Sequence, residues 1–201
     1  MFAKRNPKRT ILIIGISCVL IALWIIRYVT FNAKWRQQNP LPVREIYQLG
    51  EMVPLEKDQI NGRILDGYYV QVNSFEITEY EDYLAEKNIS EDIYYPSSSK
   101  LAIVKITIYN EDNETEGFAP TDMRLHGFDT FAGVNRWLLI ALNPVLEGYA
   151  GIMLPPHSKC ELIVPFDIQR HMHINVWDKL EQYEFFLHLT SRPEEKDIKV
   201  Q

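Results

Sequence analysis

Apolar positions fall into one continuous block near the start of the chain and a series of alternating stretches after it. The block runs over residues 11–26, and carrying it through Arg27 to Phe31 gives twenty-one residues, about 31 Å of helix at roughly 1.5 Å per residue. That length spans a bilayer and predicts a single transmembrane helix over residues 10–31. Secretory signals have a shorter apolar region, roughly 7 to 15 residues, followed by small side chains at the cleavage point. Here the exit reads RYVTFNAKW, and Phe31, two before Ala33, breaks the small-x-small pattern. Lipid attachment at Cys18 would need a branched aliphatic three residues earlier, where Gly15 stands. The segment therefore reads as a retained anchor.

Beyond it, residues 32–63 read as a spacer and first strand region, with Gln37, Gln38 and Asn39 around Pro40 and Pro42 forming a polar, stiff connection. Residues 64–191 carry the period of half-buried strands. YYVQVNSF alternates Val70 and Val72 against Gln71 and Asn73, and KLAIVKITIYN sets Ala102, Val104, Ile106 and Ile108 against Lys105, Thr107 and Tyr109. CELIVPFDI places Cys160, Leu162, Val164 and Phe166 on one face, with Pro165 marking an edge or a bulge. YEFFLHLT turns Phe185, Leu187 and Leu189 inward. DMRLHGF and RWLLIAL read as weaker strands, ITEYEDYLAEKN as a short helix through Tyr80, Tyr83 and Leu84, and residues 192–201 as a polar tail. Several short strands, one small helix and no βαβ alternation predict a mainly β chain, an antiparallel β-sandwich whose inward residues share one core.

Charge adds an orientation. Lys4, Arg5, Lys8 and Arg9 crowd residues 1–9, which predicts a cytoplasmic basic segment and an exterior C-terminal domain. Trp24, Tyr28, Phe31 and Trp35 supply aromatic anchors at the outer interface. Residues 1–34 hold six of the 21 basic and none of the 27 acidic side chains, leaving 15 against 27 outside, a net charge of −12. Such a surface repels nucleic acid and anionic headgroups and favours cationic partners or metal ions.

Candidate chemistry is sparse. Of the two cysteines, Cys18 lies in the span and Cys160 on an apolar strand, so the exterior holds no internal disulfide. His171 and His173 share a face if that stretch is extended, and His157 or Asp167 would be needed to complete a zinc site. The acidic turn at 110–117, NEDNETEG, offers Glu111, Asp112, Glu114 and Glu116 to calcium but lacks the order of a dedicated loop. Gly-x-Ser-x-Gly and His-Glu-x-x-His are absent. Tyr68, Tyr94, Tyr95, Tyr109, Trp137 and Phe186 are placed outward or in loops, as an aromatic binding surface would require.

The order of YYVQVNSF, of LAIVKITIYN ending in Asn110 before an acidic turn, and of LPPHSKCELIVPFDI resembles immunoglobulin-like exterior domains of membrane-anchored and lipid-anchored proteins of Gram-positive bacteria. The resemblance implies an immunoglobulin-like fold and an envelope location, with no reaction. His157 stands where such turns often carry Gly. The N-terminal span, β-rich exterior and single exterior thiol also resemble sortase transpeptidases, which would make Cys160, His126 and Arg170 a catalytic trio. That family asks for Thr-Leu-x-Thr-Cys, where this chain reads PPHSKC. The expectation is a membrane-anchored extracellular binding or assembly module, non-enzymatic, without a cofactor, with an envelope protein as partner and a sortase-like cysteine transpeptidase as the alternative.

Overall fold

In the computed structural model, residues 7–39, 41–90, 99–127, 130–146, 149, 151–172 and 177–201 are described. The apolar block forms α1, Pro7–Gln38, which is long and apolar enough to cross a membrane, a property that anchors and secretion signals share. The helix outruns the predicted 31 because residues 32–38, NAKWRQQ, contain no breaker before Pro40. It forms one unit, and residues 42–201 form a second.

The second unit is a β-sandwich of two sheets. Sheet A contains β1 (Val43–Gln48), β7 (Arg124–Gly127), β8 (Thr130–Gly133), β10 (Phe185–His188) and β11 (Glu194–Lys199), in the order β1-β11-β10-β7-β8. Sheet B contains β2 (Met52–Pro54), β5 (Tyr68–Glu79), β6 (Ser99–Asn110) and β9 (Ser158–Gln169), in the order β2-β5-β6-β9. A two-stranded ribbon, β3 (Gln59–Ile60) and β4 (Arg63–Ile64), lies in the chain between β2 and β5. Pairing is antiparallel except between β1 and β11. Pro165 sits on β9, an edge strand, where its missing N–H interrupts no ladder.

Every residue expected to face inward, from Val70 through Leu189, joins one apolar cluster between the sheets. A bulge at Asn73 keeps the phase: Val72 pairs with Ile106 and Ser74 with Lys105, so Phe75 and Ile77 return to the core side. The bulged residue is used, since Asn73 Nδ2 donates to Thr107 Oγ1 across 2.8 Å. A second, smaller cluster lies on the other face of sheet B, where α2 (Tyr80–Lys87) and α3 (Arg136–Leu142) bring Tyr80, Tyr83, Leu84 and Leu138 onto Leu101 and Ile103. β6 is thus covered on both faces, which is why its sequence is apolar nearly without interruption around residues 101–104.

Three expectations are corrected. RWLLIAL is helix α3, because Asn135 caps it by accepting from Leu138 N and an apolar run of that length suits either structure. The tail at 192–201 contains β11, a central strand of sheet A whose buried charges are paired. Tyr68 is buried, because it shares strand parity with Val70 and Val72, and its hydroxyl donates to Glu116 O at 2.9 Å.

Candidate functional site

Strand alternation decides which side chains of sheet A face away from the core. Register pairs Arg44 with Glu195, Ile46 and His188 with Asp197, and His126 with both Phe186 and Phe131, so these residues share the outer face. At its centre His188 Nδ1 lies 2.9 Å from Asp197 Oδ1, and the other ring nitrogen lies 3.1 Å from Ser191 Oγ. Arg44 donates through Nε and Nη2 to Asp197 Oδ2, each at 2.7 Å. Glu195 Oε1 is 3.8 Å from His188 Nδ1. The His126 ring stands edge-on to that of His188, 5.2 Å between centroids.

The electrostatics follow from this packing. Asp197 is only 3% exposed, and burial opposes its charge, yet hydrogen bonds from His188 and Arg44 prevail and hold its carboxyl below the usual range. Burial, reinforced by the nearby His188 and Arg44, pushes the His126 imidazole down, while Asp197 and Glu195 oppose the shift. His126 Nε2 is buried with no hydrogen-bond partner among the described residues. Beside the polar centre, Arg44 lies over the Phe186 ring at 5.2 Å and Arg124 over that of Phe131 at 5.4 Å.

The opposite face of β11 carries Lys196, fully buried, whose Nζ donates to Pro54 O at 2.9 Å and Glu56 Oε2 at 2.6 Å and pairs with Asp58 Oδ2 at 2.7 Å. Asp58 Oδ1 in turn accepts from Glu194 N at 3.0 Å. Of the neighbouring carboxylates of Glu56, Asp58 and Glu194, the first two already hold a cation, the lysine's own ammonium.

The residues singled out from the sequence are not brought together. Cys160 packs toward the core from sheet B, whereas His126 occupies the outer face of sheet A, and Arg170 opens the short turn after β9. Burial, with Glu161 adding to it, pushes the Cys160 thiol up, away from thiolate chemistry. His157 and His171 flank the twelve residues of β9, roughly 36 Å of strand, so they cannot share an ion. Asp167 instead accepts from Asn135 Nδ2 at 3.0 Å, and His173 lies outside the described residues.

The acidic turn is organised by amides. Asn113 Oδ1 accepts from Thr115 N and Glu116 N at 3.0 and 2.8 Å, and Glu111 Oε2 accepts from the Tyr69 hydroxyl at 2.8 Å. His157 takes the positive φ of 59° that such turns usually give to Gly. It lines a cleft of about 590 Å³ with Tyr69, Tyr109, Glu111 and Lys159. The aromatic residues do not form one surface: Tyr109 borders this cleft, Phe186 lies on sheet A, Trp137 packs on the helix layer, and Tyr94 and Tyr95 lie outside the described residues.

The DUF5028 family model, described as a domain of unknown function, matches residues 44–196, which begin in β1 and end in β11. The chain belongs to the DUF5028 family. No curated protein matches it. This DUF5028 chain is similar to an uncharacterized beta-sandwich protein from Clostridium difficile 630, at 13% identity over 79% of this chain and 96% of that one, with a TM-score of 0.41. The central cluster eluded sequence reading because Arg44 lies 153 residues from Asp197. The alternation of Lys196, Ile198 and Val200 against Glu195, Asp197 and Lys199 was the available signal for its strand.

Proposed function

We propose that the chain is a membrane-anchored binding or assembly module of the bacterial cell envelope, with its N-terminus cytoplasmic and its sandwich outside, acting without catalysis. Its contact surface is the outer face of sheet A. The observation that carries this reading is the difference between the two outer faces. That of sheet B is roofed by α2 and α3, whereas sheet A presents Phe131 at 58% and Ile46 at 49% exposure beside two arginines stacked on rings. Aromatic and arginine side chains are the types that anchor interfaces. The immunoglobulin-like description is supported by two facing sheets between which the chain crosses four times, as in Greek-key sandwiches.

A photo-crosslinking residue placed at Phe131 in living cells tests the surface, with Glu86 on exposed α2 as the control position. Adducts from 131 and not from 86 are expected; equal adducts, or none, refute the assignment. Labelling of a Glu86→Cys chain on intact cells by a membrane-impermeant maleimide tests the orientation, and protection until lysis refutes it.

A further inference from the structure

The polar centre of sheet A has the composition of a metal site. His188, Glu195 and Asp197 each offer one ligand atom, and these atoms lie within 4.8 Å of one another. His188 Nδ1 is 2.9 Å from Asp197 Oδ1 and 3.8 Å from Glu195 Oε1. Tetrahedral zinc with bonds of about 2.0–2.1 Å separates its ligands by about 3.3 Å, a value that these two distances bracket. Beside them lies a further imidazole, His126, edge-on to His188, with a buried Nε2 that no described residue satisfies. We propose that His188 Nδ1, Asp197 Oδ1 and Glu195 Oε1 bind a divalent transition-metal ion, with the His126 imidazole packed beside the site.

The surroundings fit. Ser191 Oγ stands 3.1 Å from His188 Nε2, placed to accept an N–H there when an ion displaces the Nδ1 proton that His188 gives to Asp197, the arrangement that fixes a metal-binding imidazole. Arg44 engages only the far oxygen of Asp197, orienting the carboxylate while leaving Oδ1 for the metal. Glu195 and Asp197 supply two negative charges, that of Asp197 shared with Arg44. Mixed nitrogen and oxygen ligands select zinc-like ions over calcium or magnesium, which take oxygen alone. This inference stands apart from the binding-module reading, since a metal could brace sheet A whether or not the face meets a partner.

The test is a calorimetric zinc titration of the purified full chain in detergent after chelator treatment, alongside its visible spectrum with cobalt(II). One ion per chain is expected at micromolar or lower zinc, with a tetrahedral cobalt spectrum and no displacement by millimolar calcium. His188→Ala should abolish the site and Ser191→Ala weaken it by roughly 10- to 100-fold. His171→Ala should leave it unchanged. Absence of stoichiometric zinc binding by the folded wild-type chain overturns the proposal, as does full affinity in a His188→Ala chain shown to be folded by circular dichroism. Labelling of Ser191 by a fluorophosphonate also overturns it, because that chemistry needs His188 Nδ1 to keep its proton, hydrogen-bonded to ionised Asp197, where the ion would bind.

Discussion

The side-chain amide of Asn110 donates to the carbonyl of Leu154 across 2.7 Å, joining the acidic turn to the proline-rich turn before β9. The same nitrogen donates to Asn113 O at 2.8 Å, and Oδ1 accepts from Asn113 N at 2.8 Å, so a side chain only 1% exposed has its partners in place. Asn110→Ala leaves buried backbone groups unpaired and should cost about 1–3 kcal/mol, read from the urea midpoint. Asn110→Asp should be at least as costly, since it turns an acceptor toward two carbonyl oxygens. A neutral result for either would show that water replaces these bonds.

Adjacent residues of β6 give a second test. Ile106 is fully buried in the main core, and Ile106→Ala should cost roughly 2–5 kcal/mol. Thr107 faces the other way but is only 3% exposed, because it accepts from Asn73. Thr107→Ala should therefore cost about 1–3 kcal/mol rather than the near-zero value of an open surface. Thr107→Ser, which keeps the hydroxyl, should recover most of the loss; no recovery would mean the bond contributes nothing.

Lys196→Met should cost about 3–5 kcal/mol by stranding Asp58, 4% exposed, without its cation. Adding Asp58→Asn should restore part of that loss. Burial alone would lower the lysine's pKa, but bonds to Asp58 and Glu56 overcome it and raise it above 10.5. A raised folded value contributes stability that is complete below the unfolded value and disappears as pH climbs through the folded one. The stability difference between wild type and Lys196→Met should thus stay constant up to 10.5 and shrink beyond it. A difference that grew with alkali would reverse the assignment.

In a Cys18→Ser chain, a thiol-alkylating probe should modify Cys160 far more slowly in the folded state than in urea, because its thiol packs against the core and its pKa is raised. Equal or faster labelling of the folded chain would reopen cysteine chemistry at this position.

How much of this was legible depended on whether burial was written in apolar residues. β5, β6, β9 and β10 announced themselves by alternation, and their inward sets all reached one core. β11 did not, because two of its buried positions, Lys196 and Asp197, are charged and stabilised by partners from distant segments, so the strand reads as solvent-exposed. RWLLIAL was ambiguous for the opposite reason: apolar at nearly every position, it carries no period that separates strand from helix, and only the Asn135 cap distinguishes them. The His188 cluster draws on β1, β10 and β11, and only the sheet order makes those residues neighbours.

The place of β11 in sheet A has a consequence for how the domain forms. It lies between β10 and β1, with Val43 paired to Glu194 and Gln48 to Lys199, so among the described strands β1 meets its partner only once residues 194–199 are available. Closing contacts of such long sequence separation slows folding, and until then the exposed edges of β1 and β10 are open to pairing with other chains. A chain cut before residue 194 would not merely lose a fringe of the sheet. It would be left with β1 detached and β10 an open edge, so that only a chain extending through Lys199 can reach the native sandwich, and incomplete products are left to aggregation or proteolysis.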